Sequence, residues 1–144
     1  MPPLETRAYS VQVQANDIRQ HCLDYGGGGP PLVIVPGITM PAATVEFLAL
    51  RLAPRHRVIS VDPRGRGLSE QPRSGYALTD YADDLAALIQ ALGLAHPTVL
   101  GHSMGARIAA ALAVRHPQRA GAVILADPPL TGPGRAPYPV PIVP

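Results

Sequence analysis

The start of the chain alternates apolar and polar residues with a period of two. Over residues 9–15, Tyr and Val side chains alternate with Ser and Gln, and this pattern predicts a strand with one buried face. Asn16-Asp17 is typical of a turn, and residues 18–25 form a second strand-like run. The two runs predict an antiparallel hairpin, followed by a flexible loop at residues 26–29.

Beyond the hairpin, short apolar runs alternate with stretches of helical spacing. The run at residues 32–35 is apolar throughout, which is typical of a parallel strand covered on both faces. Three further strands are predicted, at residues 57–61, 98–100 and 122–126. Helices are predicted at residues 42–52, 79–92 and 104–116, the second of them capped by Thr79. A hairpin followed by βαβαβαβ predicts an α/β fold with a mostly parallel sheet and helices on both faces.

Length and composition narrow the class of protein. The 144 residues suit one domain, and we assign residues 1–130 to the α/β core and the Pro- and Gly-rich residues 131–144 to a tail. The formal charge is +2 and the basic residues are scattered along the chain, which argues against nucleic-acid binding. No apolar run approaches the roughly 18 residues of a membrane span. The single cysteine, Cys22, indicates a reducing, cytoplasmic setting.

Three loops leave the carboxyl ends of predicted parallel strands, where sheets of this type bind ligands. They cover residues 36–40, 62–69 and 101–105, and a fourth begins at Asp127. The loop at 62–69 has the sequence Asp-Pro-Arg-Gly-Arg-Gly-Leu-Ser. It lacks the Gly-Lys-Ser/Thr ending of a phosphate loop, so we predict that Asp62 and Arg64 tie down a tight turn beside the site.

The central motif is Gly101-x-Ser103-x-Gly105, between a predicted strand and a predicted helix. A nucleophile on such a sharp turn needs neighbours without a Cβ two residues to either side. The following helix N-terminus adds N–H groups that can hold an oxyanion. We predict Ser103 as the nucleophile, with the N–H groups of Ile38 and Met104 as oxyanion donors. The alternative is a glycine-rich turn that only closes the strand.

Asp127 is the candidate acid, because it follows the strand after the nucleophile helix and could orient a histidine. The alternative role is to organise the turn at residues 128–129. No histidine of the chain has a suitable position for the base, so we expect the base beyond residue 144. Arg107, one turn past Ser103, is a candidate for a substrate carboxylate, although packing along the surface is the commoner role of arginine. No Cys, His and carboxylate cluster has metal-ligand spacing.

These motifs together resemble the α/β-hydrolase family. The resemblance is carried by Val-Pro-Gly-Ile-Thr at 35–39, the loop at 62–69 and Gly-His-Ser-Met-Gly-Ala-Arg at 101–107, which stand in the order that this family shows. Two further segments, at residues 16–21 and 127–135, are similar to deformylases within it. The resemblance implies Ser103 as nucleophile, Asp127 as triad acid, oxyanion donors at Ile38 and Met104, and no metal or organic cofactor.

Members of the family are about twice as long, and carry a lid, two more strands and the catalytic histidine in the remaining part. We therefore expect this chain to be the N-terminal part of the fold, with the lid region beginning near residues 131–144. The leading hypothesis is hydrolysis of a small acidic amide, with removal of a formyl group. The alternatives are a general carboxylesterase and a truncated, inactive product.

Overall fold

The computed structural model describes residues 8–129, which form six strands and three α-helices. The strands are β1 Tyr9–Ala15, β2 Ile18–Asp24, β3 Pro31–Val35, β4 Arg57–Asp62, β5 Thr98–His102 and β6 Ala122–Ala126. The helices are α1 Glu46–Leu52, α2 Leu78–Ala91 and α3 Met104–Arg115. The predicted tail at 131–144 lies outside the described residues.

The strands form a single sheet in the order β1-β2-β4-β3-β5-β6. β1 pairs antiparallel with β2, and β2 pairs antiparallel with β4. β3 lies between β4 and β5 and pairs with both in parallel, and β6 extends the sheet in parallel beside β5. The predicted hairpin and mostly parallel sheet are thereby confirmed. The chain crosses from β4 to the other side of β3 when it enters β5, and sheets of this type bind their ligands at the carboxyl ends of the strands beside such a crossing.

The two faces of the sheet carry separate apolar cores. On β3, Val33 and Val35 pack into the cluster that contains α2 and α3 residues such as Leu85 and Ile108. The intervening Leu32 and Ile34 belong to the cluster against α1. A strand alternates its side chains between faces, so an apolar run such as that of β3 requires helices on both. Helices on both faces were predicted and are confirmed.

Two helix starts differ from their prediction. Residues 42–45 form a 3₁₀ turn, and α1 begins only at Glu46. The backbone N–H of Ala42 donates to Asp62 Oδ1 at 2.7 Å, which holds this start against β4. Thr79 lies inside α2 and does not cap it, because the helix begins at Leu78. The Asp80 carboxylate instead accepts from the N–H of Ala77 at 2.8 Å, as in one half of a capping box.

Cys22 is fully buried in the sheet, and the structure places it among apolar side chains of β3 and β4. Burial, reinforced by the carboxylates of Asp24 and Asp62, raises the pKa of its thiol to about 12. The thiol therefore stays protonated at neutral pH, and Cys22 is a core residue with no nucleophilic role.

Candidate active site

Ser103 lies on the sharp turn between β5 and α3. Its backbone has φ 54° and ψ −117°, a region that residues with a Cβ adopt only at a cost of about 1–3 kcal/mol. The N–H of Ser103 donates to the carbonyl of Ala126 on β6 at 2.9 Å, and its carbonyl accepts from the N–H of Ala106 at 3.0 Å. Bonds on both sides hold the strained turn in place.

The two glycines of the motif are required by close backbone approach. A Cβ on Gly101 would lie 2.1 Å from the carbonyl oxygen of Gly105. A Cβ on Gly105 would lie 2.0 Å from the carbonyl oxygen of Val35 and 2.6 Å from that of Pro36. These neighbours are backbone atoms that cannot move aside, so glycine lets the turn, the helix start and the end of β3 approach one another.

Substituting Gly105 with alanine is therefore expected to lower the free energy of unfolding by about 2 kcal/mol or more, because the clash with Val35 moves backbone. The matched control is Gly28→Ala, since a Cβ there meets nothing within 4 Å and the change should cost under about 0.5 kcal/mol. Urea unfolding of both variants measures the difference. Equal stabilities would show that the turn relaxes freely.

The loop at residues 36–40 lies beside Ser103. A Cβ on Gly37 would lie 3.6 Å from the Cβ of Ser103, so glycine leaves open the space next to the serine. Within residues 8–129, the N–H of Ile38 has no hydrogen-bond acceptor. The N–H of Met104 is in the first turn of α3, where helices lack internal acceptors. Neither of the two predicted oxyanion donors has an acceptor within the described residues, and they come from the loop at 36–40 and from the first turn of α3.

The loop at residues 62–69 is held by Asp62 at the end of β4. Its Oδ1 accepts from the N–H of Ala42, and its Oδ2 accepts from the N–H of Leu68 at 3.0 Å. The hydroxyl of Ser69 donates to the main-chain carbonyl of Asp62 at 2.6 Å. A side chain on Gly67 would occupy the position of the Asp62 carboxylate, at 2.2 Å. The prediction that Asp62 ties down this turn agrees with these contacts.

Asp62 also takes part in a Ser–His–Asp chain of hydrogen bonds. His21 Nδ1 donates to Asp62 Oδ2 at 2.6 Å, and His21 Nε2 lies 2.8 Å from the Ser10 hydroxyl. His21 and Asp62 are both 3% exposed. The chain joins β1 and β2 to β4, and Asp62 also bonds two backbone N–H groups, so this cluster holds the hairpin on the sheet. His21 is committed to that role.

The other histidines lie apart from the serine hydroxyl or have other partners. His116 Nε2 bonds Asp83 at 2.6 Å, and His56 Nδ1 lies 3.4 Å from the carbonyl of Leu52. His96 is exposed on a turn before β5. The Nδ1 of His102 lies 3.4 Å from the position of a Cβ on Gly37, against the 36–40 loop. Among residues 8–129, no histidine is hydrogen-bonded to Ser103.

Asp127 and Arg107 are placed as the sequence predicted, but neither is tied to a partner. β5 and β6 are in register with His102 opposite Ala126, so Ser103 and Asp127 follow paired residues at the same sheet edge. Asp127 is exposed, with φ 49°. Arg107 is half-buried on α3. Within the described part of the chain, neither side chain forms a hydrogen bond, which leaves both available to groups outside it.

The sequence motifs did not indicate the contact between Arg66 and the 36–40 loop. Arg66 Nε donates to the carbonyl of Ile38 at 2.6 Å. The only signal in the sequence is position, because Arg66 stands between two glycines in a loop at the same sheet edge. A small, partly open cavity of about 10 Å³ lies nearby, between Arg64 and α2. It has room for one water, so it is too small for a substrate.

Two absences apply to the described residues. Between residues 8 and 129, no group of three His, Cys, Asp or Glu side chains is placed to hold a metal ion. In the same span no helix has the length and apolar character needed to cross a bilayer.

Comparison with known proteins assigns the family. The α/β-hydrolase fold model matches residues 30–140. N-formylmaleamate deformylase of Pseudomonas putida is 48% identical over 128 residues, which cover 88% of this chain and 48% of that protein. The 2-(acetamidomethylene)succinate hydrolase of Mesorhizobium japonicum is 43% identical over 101 residues, covering 70% of this chain and 36% of that protein.

A solved structure shows the same arrangement of elements. The crystal structure of an N-formylmaleamic acid deformylase serine-to-alanine variant from Pseudomonas putida S16 superposes with a TM-score of 0.84 at 50% identity, covering 91% of this chain and 51% of that one. The chain thus spans about half the length of these deformylases. Because the family match covers most of the sequence and the fold agrees, the chain belongs to the α/β-hydrolase fold family, as its motifs predicted.

Proposed function

We propose that the protein carrying this chain is a serine hydrolase that cleaves the formyl amide C–N bond of N-formylmaleamate, giving maleamate and formate. The observation that carries the proposal is the backbone of Ser103, strained on a strand-to-helix turn with Gly37 beside its Cβ. Such strain persists at sites where it serves a reaction. The high identity to a protein named N-formylmaleamate deformylase supports the substrate.

The proposed reaction is acyl transfer in two steps. Ser103 Oγ attacks the formyl carbon while a histidine takes its proton, and the N–H groups of Ile38 and Met104 hold the oxyanion. The histidine then protonates the leaving nitrogen, and maleamate departs. Water hydrolyses the formyl ester of Ser103 and releases formate. No metal or organic cofactor is needed for these steps.

Asp127 and Arg107 complete the proposed site. Asp127 would accept from the ring of the histidine and stabilise its protonated form, which suits an exposed carboxylate with no other partner. Arg107 would pair with the substrate carboxylate, since its guanidinium is unpaired in the described residues. The histidine is proposed to lie outside these 144 residues. We therefore expect at most weak turnover by the 144-residue polypeptide alone. The substrate is a small soluble acid, and with one unpaired cysteine the proposed location is cytoplasmic.

The alternative on the same scaffold is a general carboxylesterase, because a fold and an elbow do not fix the substrate. Formate release from N-formylmaleamate by the full-length protein distinguishes the two, with p-nitrophenyl esters assayed in parallel. We expect kcat/KM at least about 100-fold higher for the formyl amide than for the esters, since remote carboxylate binding raises the rate only for the acid. Faster ester turnover, or no formate, would reject the deformylase assignment.

A further inference from the structure

The reaction proposed above depends on the direction of a single peptide group. The N–H of Ile38 must point towards the serine, yet the loop at 36–40 has neither helix nor strand structure between residue 36 and the 3₁₀ turn. A backbone has two soft torsions per residue. The Ile38 N–H lies in the peptide group between Gly37 and Ile38, and holding the peptide group after Ile38 as well limits how far that N–H can turn.

The peptide before Ile38 is held inside the loop. The N–H of Met40 donates to the carbonyl of Gly37 at 3.1 Å. Since the C=O and N–H of a trans peptide point in opposite directions, this bond draws the Gly37 carbonyl into the turn. It directs the Ile38 N–H outwards, on the side where the loop has no acceptor of its own.

The peptide after Ile38 is held from a different loop, by Arg66. The guanidinium Nε donates to the Ile38 carbonyl at 2.6 Å, and this bond is charge-assisted because the donor is a cation. The same guanidinium also bonds its own loop, because Nη1 donates to the Gly65 carbonyl at 3.0 Å. The backbone N–H of Arg66 donates to Pro63 at 2.9 Å. Bonds within the loop at 62–69 thus hold both the backbone and the side chain of Arg66 in the position from which it contacts the loop at 36–40.

We infer that Arg66 is a positioning residue that sets the Ile38 peptide for oxyanion binding. Arg66 bonds the middle of the loop at 36–40, and Asp62 bonds Ala42 at the start of the 3₁₀ turn that follows it. The loop at 62–69 therefore holds both the loop at 36–40 and its exit. Arg66 forms no hydrogen bond with Ser103 and acts through the Ile38 peptide group. The inference rests on the proposed function, because it takes the Ile38 N–H as an oxyanion donor.

The experiment compares kcat and KM of the full-length protein with those of Arg66→Met and Arg66→Ala. Loss of one oxyanion donor costs about 10²–10³ in kcat, and a misdirected donor should cost about 10- to 100-fold, with KM changed less than about threefold. Added guanidinium ion should restore about a tenth or more of the lost rate in Arg66→Ala, since it can bond the Ile38 carbonyl. Arg73→Met, an exposed arginine without a hydrogen bond in the described residues, is the control and should retain activity.

The outcomes separate the inference from the proposed function. If the wild type turns over the substrate and Arg66→Met does so at the same rate, the inference about Arg66 is rejected and the proposed function stands. A rise in KM at constant kcat also rejects it, because it would make Arg66 a substrate-binding group. Wild-type protein that hydrolyses neither the formyl amide nor p-nitrophenyl esters rejects both. Should the substitutions, including Arg66→Lys, unfold the protein by thermal melting, Arg66 is a structural residue and the inference is wrong.

Discussion

Replacing Ser103 with alanine is expected to lower kcat/KM for formyl-amide hydrolysis by the full-length protein by a factor of about 10⁴ or more. The hydroxyl is the proposed nucleophile, and alanine offers no atom that can form the acyl intermediate. The proposed oxyanion donors are backbone groups of Ile38 and Met104, so they persist in the variant. A residual rate above that of water is therefore expected. Formate release at saturating substrate gives kcat, and release at limiting substrate gives kcat/KM.

The stability of the Ser103 variants provides an independent check. Ser103 has φ 54° and ψ −117°, a conformation that costs a residue with a Cβ about 1–3 kcal/mol. Glycine adopts positive φ without that cost, so Ser103→Gly should be inactive yet more stable than Ser103→Ala. Ser74, which is exposed, serves as control, because Ser74→Ala should retain full activity. Activity in Ser103→Ala would exclude the serine as nucleophile.

Much of this site could be predicted from the sequence because its parts are local. The turn at Ser103 needs glycines at fixed distances along the chain, and the clashes at Gly101 and Gly105 show the physical reason. The loop at Gly37 follows directly from the end of a continuous apolar strand. Parallel strands bring their carboxyl ends to one edge, so the meeting of these loops follows from the order of elements alone.

The contacts that hold the loops together could not be predicted in the same way. Arg66 bonds Ile38 across 28 residues, and His21 bonds Asp62 across 41. Such pairs depend on which strands become neighbours and in which register, and no local periodicity encodes that. Residue type predicts Thr79 as the helix cap, but α2 begins earlier and the Asp80 carboxylate bonds the N–H of Ala77. Ala77 has no polar side chain, so residue type does not indicate it as the start of the helix.

Asp84 is the centre of a buried network of polar contacts. It receives two bonds from Arg64, from Nε and Nη2, each 2.6 Å long. The side-chain amide of Asn16 donates to it at 2.7 Å, and that of Gln20 donates to its main-chain carbonyl at 3.0 Å. A third guanidinium nitrogen of Arg64 donates to the Gly75 carbonyl. These bonds connect the hairpin, α2 and the loop at 62–69.

Substituting Asp84 with alanine should therefore lower the free energy of unfolding by about 3–5 kcal/mol, because it leaves the Arg64 charge buried without its partner. Arg64 is 7% exposed and Asp84 is 3% exposed, and the hydrogen bonds that Arg64 donates to Asp84 raise the pKa of Arg64 above its ordinary value. The guanidinium therefore stays charged in the variant, and the free energy of burying its charge is not avoided by loss of a proton. Denaturant unfolding, monitored by circular dichroism, measures the loss.

The adjacent residue gives a matched control. Asp83 bonds Arg115 through two contacts of 3.0 Å and His116 Nε2 at 2.6 Å, but these contacts lie near the surface, with the Asp83 and Arg115 side chains 32% and 43% exposed. Asp83→Ala should cost under about 1 kcal/mol, since solvent screens such pairs. The double variant Asp84→Leu with Arg64→Met should recover much of the loss, because both charges then leave the interior. If Asp84→Ala cost no more than Asp83→Ala, the buried pair would not stabilise the fold.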